Sequence, residues 1–94
     1  MLFVTLCKQR GGTAKERIAR RAQWQYPPGM KVLGEYWLQT TDPVVLVISE
    51  AESITPIMAA LADWDDVFDM TVVPAVTAEQ GLELARQMGA GASR

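Results

Sequence analysis

The sequence predicts an α+β fold, a four-stranded antiparallel sheet assembled in the order βαββαβ with a further helix at the C-terminus. Three observations predict it. Apolar, partly β-branched stretches of strand length alternate with helix-forming stretches. Thr13-Ala14-Lys15-Glu16 and Thr77-Ala78-Glu79-Gln80 have the form of capping boxes, in which threonine and the residue three positions on cap each other's backbone. Pro27-Pro28-Gly29 and Thr40-Thr41-Asp42-Pro43 mark points where the chain has to turn.

The first strand is expected over residues 2–7, followed by the polar turn Lys8-Gln9-Arg10-Gly11-Gly12. The first helix opens at Thr13 and runs to about Trp24, with a thin apolar stripe of Ala14, Ile18, Ala22 and Tyr26. Met30 to Gln39 reads as a second strand and Val44 to Ser49 as a third. A second helix has Ser53 as its expected N-cap and Pro56 in its first turn, where a missing donor costs nothing. Ile54, Ile57, Met58 and Leu61 are its expected buried face. Val67 to Val76 reads as the fourth strand, placed at a sheet edge because Pro74 lacks a ladder donor. The last helix is expected to end at Met88, stopped by Gly89. The result is one ferredoxin-like domain over residues 1–88 with a flexible tail over 89–94.

Val44-Val45-Leu46-Val47-Ile48 and Val72-Val73-Pro74-Ala75-Val76 are apolar on both strand parities. A strand with one wet face alternates instead, so both faces of these strands are expected to be covered. Two main helices cover only one face of the sheet. The other, of order 400 Å², would leave roughly 10 kcal/mol of unburied hydrophobic free energy, and a second subunit is the economical cover.

Composition narrows the function classes. The 94 residues are 49% hydrophobic and 21% charged, an ordinary globular balance. No apolar run reaches a membrane span, and Met1 to Cys7 is too short for a signal-peptide core and lacks a basic flank. With a single cysteine, Cys7, no internal disulfide forms, so a cytoplasmic location is expected. The absence of histidine removes imidazole as haem ligand, zinc ligand or general base. The net charge of −2 is uneven, +4 over residues 1–42 and −6 over residues 43–94.

Met1-Leu2-Phe3, Gly34-Glu35-Tyr36-Trp37, Ile48-Ser49-Glu50, Asp63-Trp64-Asp65-Asp66 and Val72-Val73-Pro74-Ala75-Val76 occur in an order and spacing that resembles the dimeric α/β-barrel superfamily. The likeness is strongest to a small bacterial branch without an assigned activity and spans residues 1–76. It implies two ferredoxin-like sheets packed face to face in a homodimer or an assembly of dimers. More distant relatives are antibiotic-biosynthesis monooxygenases, which need no cofactor, muconolactone isomerases and stress-responsive barrel proteins. Haem-binding relatives use a histidine that this chain lacks, and no cofactor is expected.

Glu50 follows Val44, Leu46 and Ile48 on one strand parity, at the rim of an apolar surface, where partial burial would raise its pKa and make it a candidate catalytic base. The competing reading places it in a solvated loop. Trp37, Trp64, Trp24 and Tyr36 are candidate walls for an apolar or aromatic ligand, with core or interface packing as the alternative. Trp37 and Tyr36 take opposite strand faces, so at most one of them enters a given cavity. Asp65 is placed beside Trp64 at the pocket, within an acidic group of Asp63, Asp65, Asp66 and Asp69 that lacks calcium-loop spacing, and no metal site is expected. The basic first helix, Lys15, Arg17, Arg20 and Arg21, reads as a solvated face rather than a nucleic-acid patch, because Phe3 is the sole aromatic on the first and third strands. Cys7 has no histidine to activate it and reads as an inert buried thiol. Gly11-Gly12-Thr13 lacks the length and lysine of a phosphate loop.

Together these readings favour a protein that binds a small apolar or aromatic molecule between helices and sheet. The alternatives are a cofactor-independent monooxygenase or isomerase acting on an activated aromatic with Glu50 as base, and a non-catalytic assembly or sensor subunit.

Overall fold

The computed structural model describes residues 1–92. Strand β1 (Leu2–Gln9), helix α1 (Ala14–Gln23), strands β2 (Met30–Trp37) and β3 (Val45–Ala51), helix α2 (Thr55–Trp64), strand β4 (Phe68–Ala75) and helix α3 (Ala78–Ala92) follow in the expected order. The strands form one antiparallel sheet in the order β2-β3-β1-β4, a ferredoxin-like α+β fold. β4 lies at an edge, where Pro74 is tolerated.

Both capping boxes form. The Thr13 hydroxyl accepts from the Glu16 amide at 3.1 Å and the Glu16 carboxylate from the Thr13 amide at 3.1 Å. Thr77 and Gln80 repeat this at 2.8 and 3.0 Å, opening α3. Other boundaries move. β3 runs past Ser49 to Ala51, so Glu50 lies in a strand rather than a loop. Ile54, not Ser53, is the N-cap of α2, although the Ser53 hydroxyl still accepts from the Thr55 amide at 3.3 Å. The buried stripe of α2 is Ile57, Ala60 and Trp64 with Leu61 beside it, while Ile54 and Met58 are exposed. The bulk of Trp64 decides this: the stripe that includes it is rotated one position from the expected one. Gly89 does not stop α3, because a glycine costs a helix interior only about 1 kcal/mol against alanine. The tail expected over 89–94 is therefore helical to Ala92, and Ser93 and Arg94 lie outside the described residues.

On the sheet face under α1 and α2, Phe3 packs with Ala51 and Ile57 near the start of β1. Towards its end, Cys7 packs with Trp64 and Phe68. The opposite face carries Leu2, Val4 and Leu6 of β1 and Leu46 and Ile48 of β3, all only half-buried, with Val73 of β4 exposed. β3 is thus apolar on both faces, as its sequence requires, but only one face has a covering layer among the described residues.

One irregularity positions the site. Val32 pairs with Ser49, but Gly34 pairs with Ile48, leaving Leu33 as the extra residue of a β-bulge in β2. Before it, Met30 and Val32 lie opposite Ala51 and Ser49 on the helix face. After it, Glu35 and Trp37 lie opposite Val47 and Val45 on that same face, and Tyr36 is turned to the other. Gly34 is needed where it stands: the Tyr36 ring lies over it so closely that a Cβ would come within 2.6 Å of the phenol oxygen.

Candidate functional site

Helix α1 is held to the molecule by arginines more than by apolar packing. None of its residues is buried. Its inward face is Ala14, Arg17, Ile18 and Arg21, spaced three and four apart as one side of a helix. The Arg20 guanidinium stacks 4.5 Å over the Trp64 ring and bonds Asp66 at 2.9 Å. Arg17 donates to the backbone oxygens of Gly11 and Gly12 at 2.8 and 3.1 Å. These long side chains tie α1 to the end of α2 and to the turn that precedes α1, and a gap remains between α1 and the sheet. The gap is a cavity of about 340 Å³ walled by Cys7, Val45 and Val47 of the sheet, Ile57 and Trp64 of α2, and Ile18 of α1.

Its polar side is a single cluster. Glu35 accepts from Arg21 through Nε at 3.1 Å and Nη2 at 2.9 Å, from the Tyr26 hydroxyl at 2.7 Å and from the Trp37 indole N–H at 2.8 Å. Ile18, Arg21, Glu35 and Trp37 also line a shallow groove on the outside, so the ion pair lies between the cavity and that groove. Burial acts to raise the Glu35 carboxyl, but the bonds from Arg21, Trp37 and Tyr26 more than offset it and hold the group below the usual carboxylate range. The Tyr26 phenol is pushed well up by burial and by its bond to Glu35, so it remains a neutral donor.

Of the residues singled out from sequence, Trp24, Trp37 and Trp64 line the cavity. Trp24 stands edge-on to Trp64 at 5.6 Å and anchors its indole N–H on Asp63 at 2.9 Å. Tyr36 lies outside the cavity, on the uncovered sheet face. Asp65 is exposed at the C-cap of α2, where its backbone oxygen accepts from Arg10. Glu50 is exposed on the uncovered face, beside Leu2 of β1 and Lys31 of β2, and does not reach the cavity. The cavity carboxylate is Glu35, which alternation counted from Met30 turns to the wrong face because it does not include the bulge. The acidic group does not converge on a shared centre: Asp66 pairs with Arg20, Asp69 with Arg10, and Asp63 with Trp24. The basic helix and the acidic half of the sequence therefore meet within one chain.

Cys7 lines the cavity with its thiol pushed up to about 11, chiefly by burial and secondarily by the charge of Glu35. At pH 8 the native chain is expected to react with iodoacetamide on the order of a hundredfold more slowly than the unfolded chain, whose thiol titrates near 8.5. Mass spectrometry of the modified fraction against time measures this; equal rates in the two states would contradict the buried thiol.

Fold and site define a class of protein: a ferredoxin-like sheet whose helix-covered face carries a partly open apolar cavity with one ion pair at its edge. The family model described as a domain of unknown function (DUF3303) matches residues 1–89, and the chain belongs to that family. No curated protein and no solved structure matches it. No helix among the described residues is long and apolar enough to cross a membrane.

Proposed function

We propose that this protein binds a small apolar or aromatic molecule in the cavity between α1, α2 and the sheet. The cavity itself carries the reading. Protein interiors are packed to crystal-like density, and a gap of about 340 Å³ between α1, α2 and the sheet is more than twice the size of an engineered apolar cavity, about 150 Å³, that holds benzene. There is room for a two-ring molecule. Aromatic walls from Trp24, Trp64 and Phe68 suit a flat ligand.

Binding is favoured over turnover by the state of the cavity's carboxylate. Glu35 is depressed and already accepts from three donor residues, the opposite of a poised base. Calorimetric titration with 2-naphthamide, an uncharged two-ring probe, is expected to saturate at one molecule per chain. Ala14→Trp, which fills the cavity from an exposed helix position, is expected to weaken it at least tenfold, about 1.4 kcal/mol. Absence of saturable binding, or unchanged affinity in Ala14→Trp, would remove the site.

We further infer that the chain pairs with a second copy through its uncovered sheet face, as in the dimeric α/β-barrel superfamily. The apolar patch of Leu2, Val4, Leu6, Leu46 and Ile48 is one support. The ends of that face are another: Lys8 stands opposite Asp69 and Lys31 opposite Glu50, so each end offers both signs of charge to a two-fold copy. Helix α3 is a third. Leu82, Leu84 and Met88 are all more than half exposed, and the radius of gyration is 16.3 Å where a compact chain of this length has roughly 12 Å. The buried free thiol of Cys7 suits the reducing cytoplasm in which we place the protein.

A further inference from the structure

The charges that face the cavity do not balance. Arg17, Arg21 and Glu35 all line it. Arg21 is matched by Glu35, while Arg20 on the same helix is matched outside the cavity by Asp66. Arg17 is the arginine of α1 with no carboxylate within ion-pair distance among the described residues. It is half-buried, its Nη1 is committed to the Gly11 and Gly12 oxygens, and its Nε and Nη2 have no hydrogen-bond partner among the described residues. Its guanidinium carbon lies 5.8 Å from the centre of the Phe68 ring, against the apolar wall.

We propose that the ligand is an organic anion, an aromatic or alicyclic monocarboxylate whose ring system fills the cavity and whose carboxylate is received by Arg17. This rests on the binding role proposed above and names the ligand's charge. A guanidinium with one edge committed and the other open meets a carboxylate in a planar, paired geometry that a lysine does not reproduce. The other polar groups fit the assignment. The Cys7 thiol and the Tyr26 phenol are both raised by burial and stay neutral at physiological pH, so neither adds negative charge. Glu35 is saturated by its own donors and has no open position for a cationic ligand. An anion in the cavity brings the net charge of this lining from +1 to zero.

The test compares 2-naphthoate with its uncharged analogue 2-naphthamide by calorimetry on the full chain, native and substituted. The native chain is expected to prefer the carboxylate by about tenfold or more, as one charge-assisted pair supplies. In Arg17→Gln the ratio of carboxylate to amide affinity is expected to fall to near unity, whatever loss the two probes share, and Arg17→Lys should retain part of it. Because both probes fill the same cavity, the ratio cancels any loss they share from a shift of α1, and only the response to charge remains. A native chain that binds both probes equally, or an Arg17→Gln chain that still prefers the carboxylate, overturns the anion assignment and leaves the cavity as a binding site. A chain that binds neither probe overturns both.

Discussion

A chain carrying Ile48→Lys is expected to run as a monomer at micromolar concentration, where the native chain runs as a dimer. Ile48 is central on the uncovered face, opposite Val4 of β1 on one side and Gly34 of β2 on the other. In a monomer the new ammonium projects into water and the fold tolerates it. In a face-to-face pair it would be buried without a carboxylate partner, at a cost of several kcal/mol. That is roughly a thousandfold or more in the dimer dissociation constant. Met58→Lys is the control, because Met58 is 58% exposed on α2, on the other side of the sheet. Sedimentation equilibrium separates the cases. A native chain that is monomeric at micromolar concentration, or an Ile48→Lys chain that still pairs, would remove the second copy from this account.

The strands carry the signal that was easiest to read. Val45 to Ile48 lacks any polar residue on either parity, and its two faces are indeed one under the helices and one apolar and uncovered. The starts of α1 and α3 were legible for a local reason: a capping box is complete within four residues, so no tertiary partner has to be known. The buried side of α2 was legible only in part: Ile57 and Leu61 turn inward as expected, while Ile54 and Met58 do not, because the fit of Trp64 against Phe68 and Cys7 sets the rotation of the helix.

The site was legible in its aromatic walls and not in its carboxylate. Trp24, Trp37 and Trp64 are large and scarce enough to stand out in any sequence. Glu35 is concealed by Leu33, since a single unpaired residue inverts the parity of everything after it, and nothing in Val32-Leu33-Gly34 separates a bulge from a regular strand except the glycine. Glu50 drew attention through a parity that proved to be that of the uncovered face. The cavity itself depends on where α1 comes to rest over the sheet and α2, a tertiary placement that composition does not encode.

Glu35→Gln is expected to flatten the acid limb of the stability curve and to lower stability at neutral pH by about 2–3 kcal/mol. The estimate is below that for a fully buried pair because the Arg21 side chain is 33% exposed and Glu35 18% exposed. The amide keeps an acceptor oxygen but loses the charge that matches Arg21, and its N–H group replaces one of the two oxygens on which Arg21, Trp37 and Tyr26 converge. The direction of the pH effect follows from the depressed carboxyl. Since Glu35 binds its proton less readily in the folded chain than in the unfolded one, its contribution is complete above the unfolded value near 4.3. It declines as the pH falls from there through the lower folded value. Urea unfolding from pH 7 to pH 3 should therefore show native stability converging on that of Glu35→Gln as the solution becomes acidic. Arg21→Gln should behave alike, because the same pair is broken from its other end. If the native chain and Glu35→Gln instead kept a constant difference down to pH 3, the charge of Glu35 would not be what stabilises the fold, and the donor contacts around it would have to be read as packing alone.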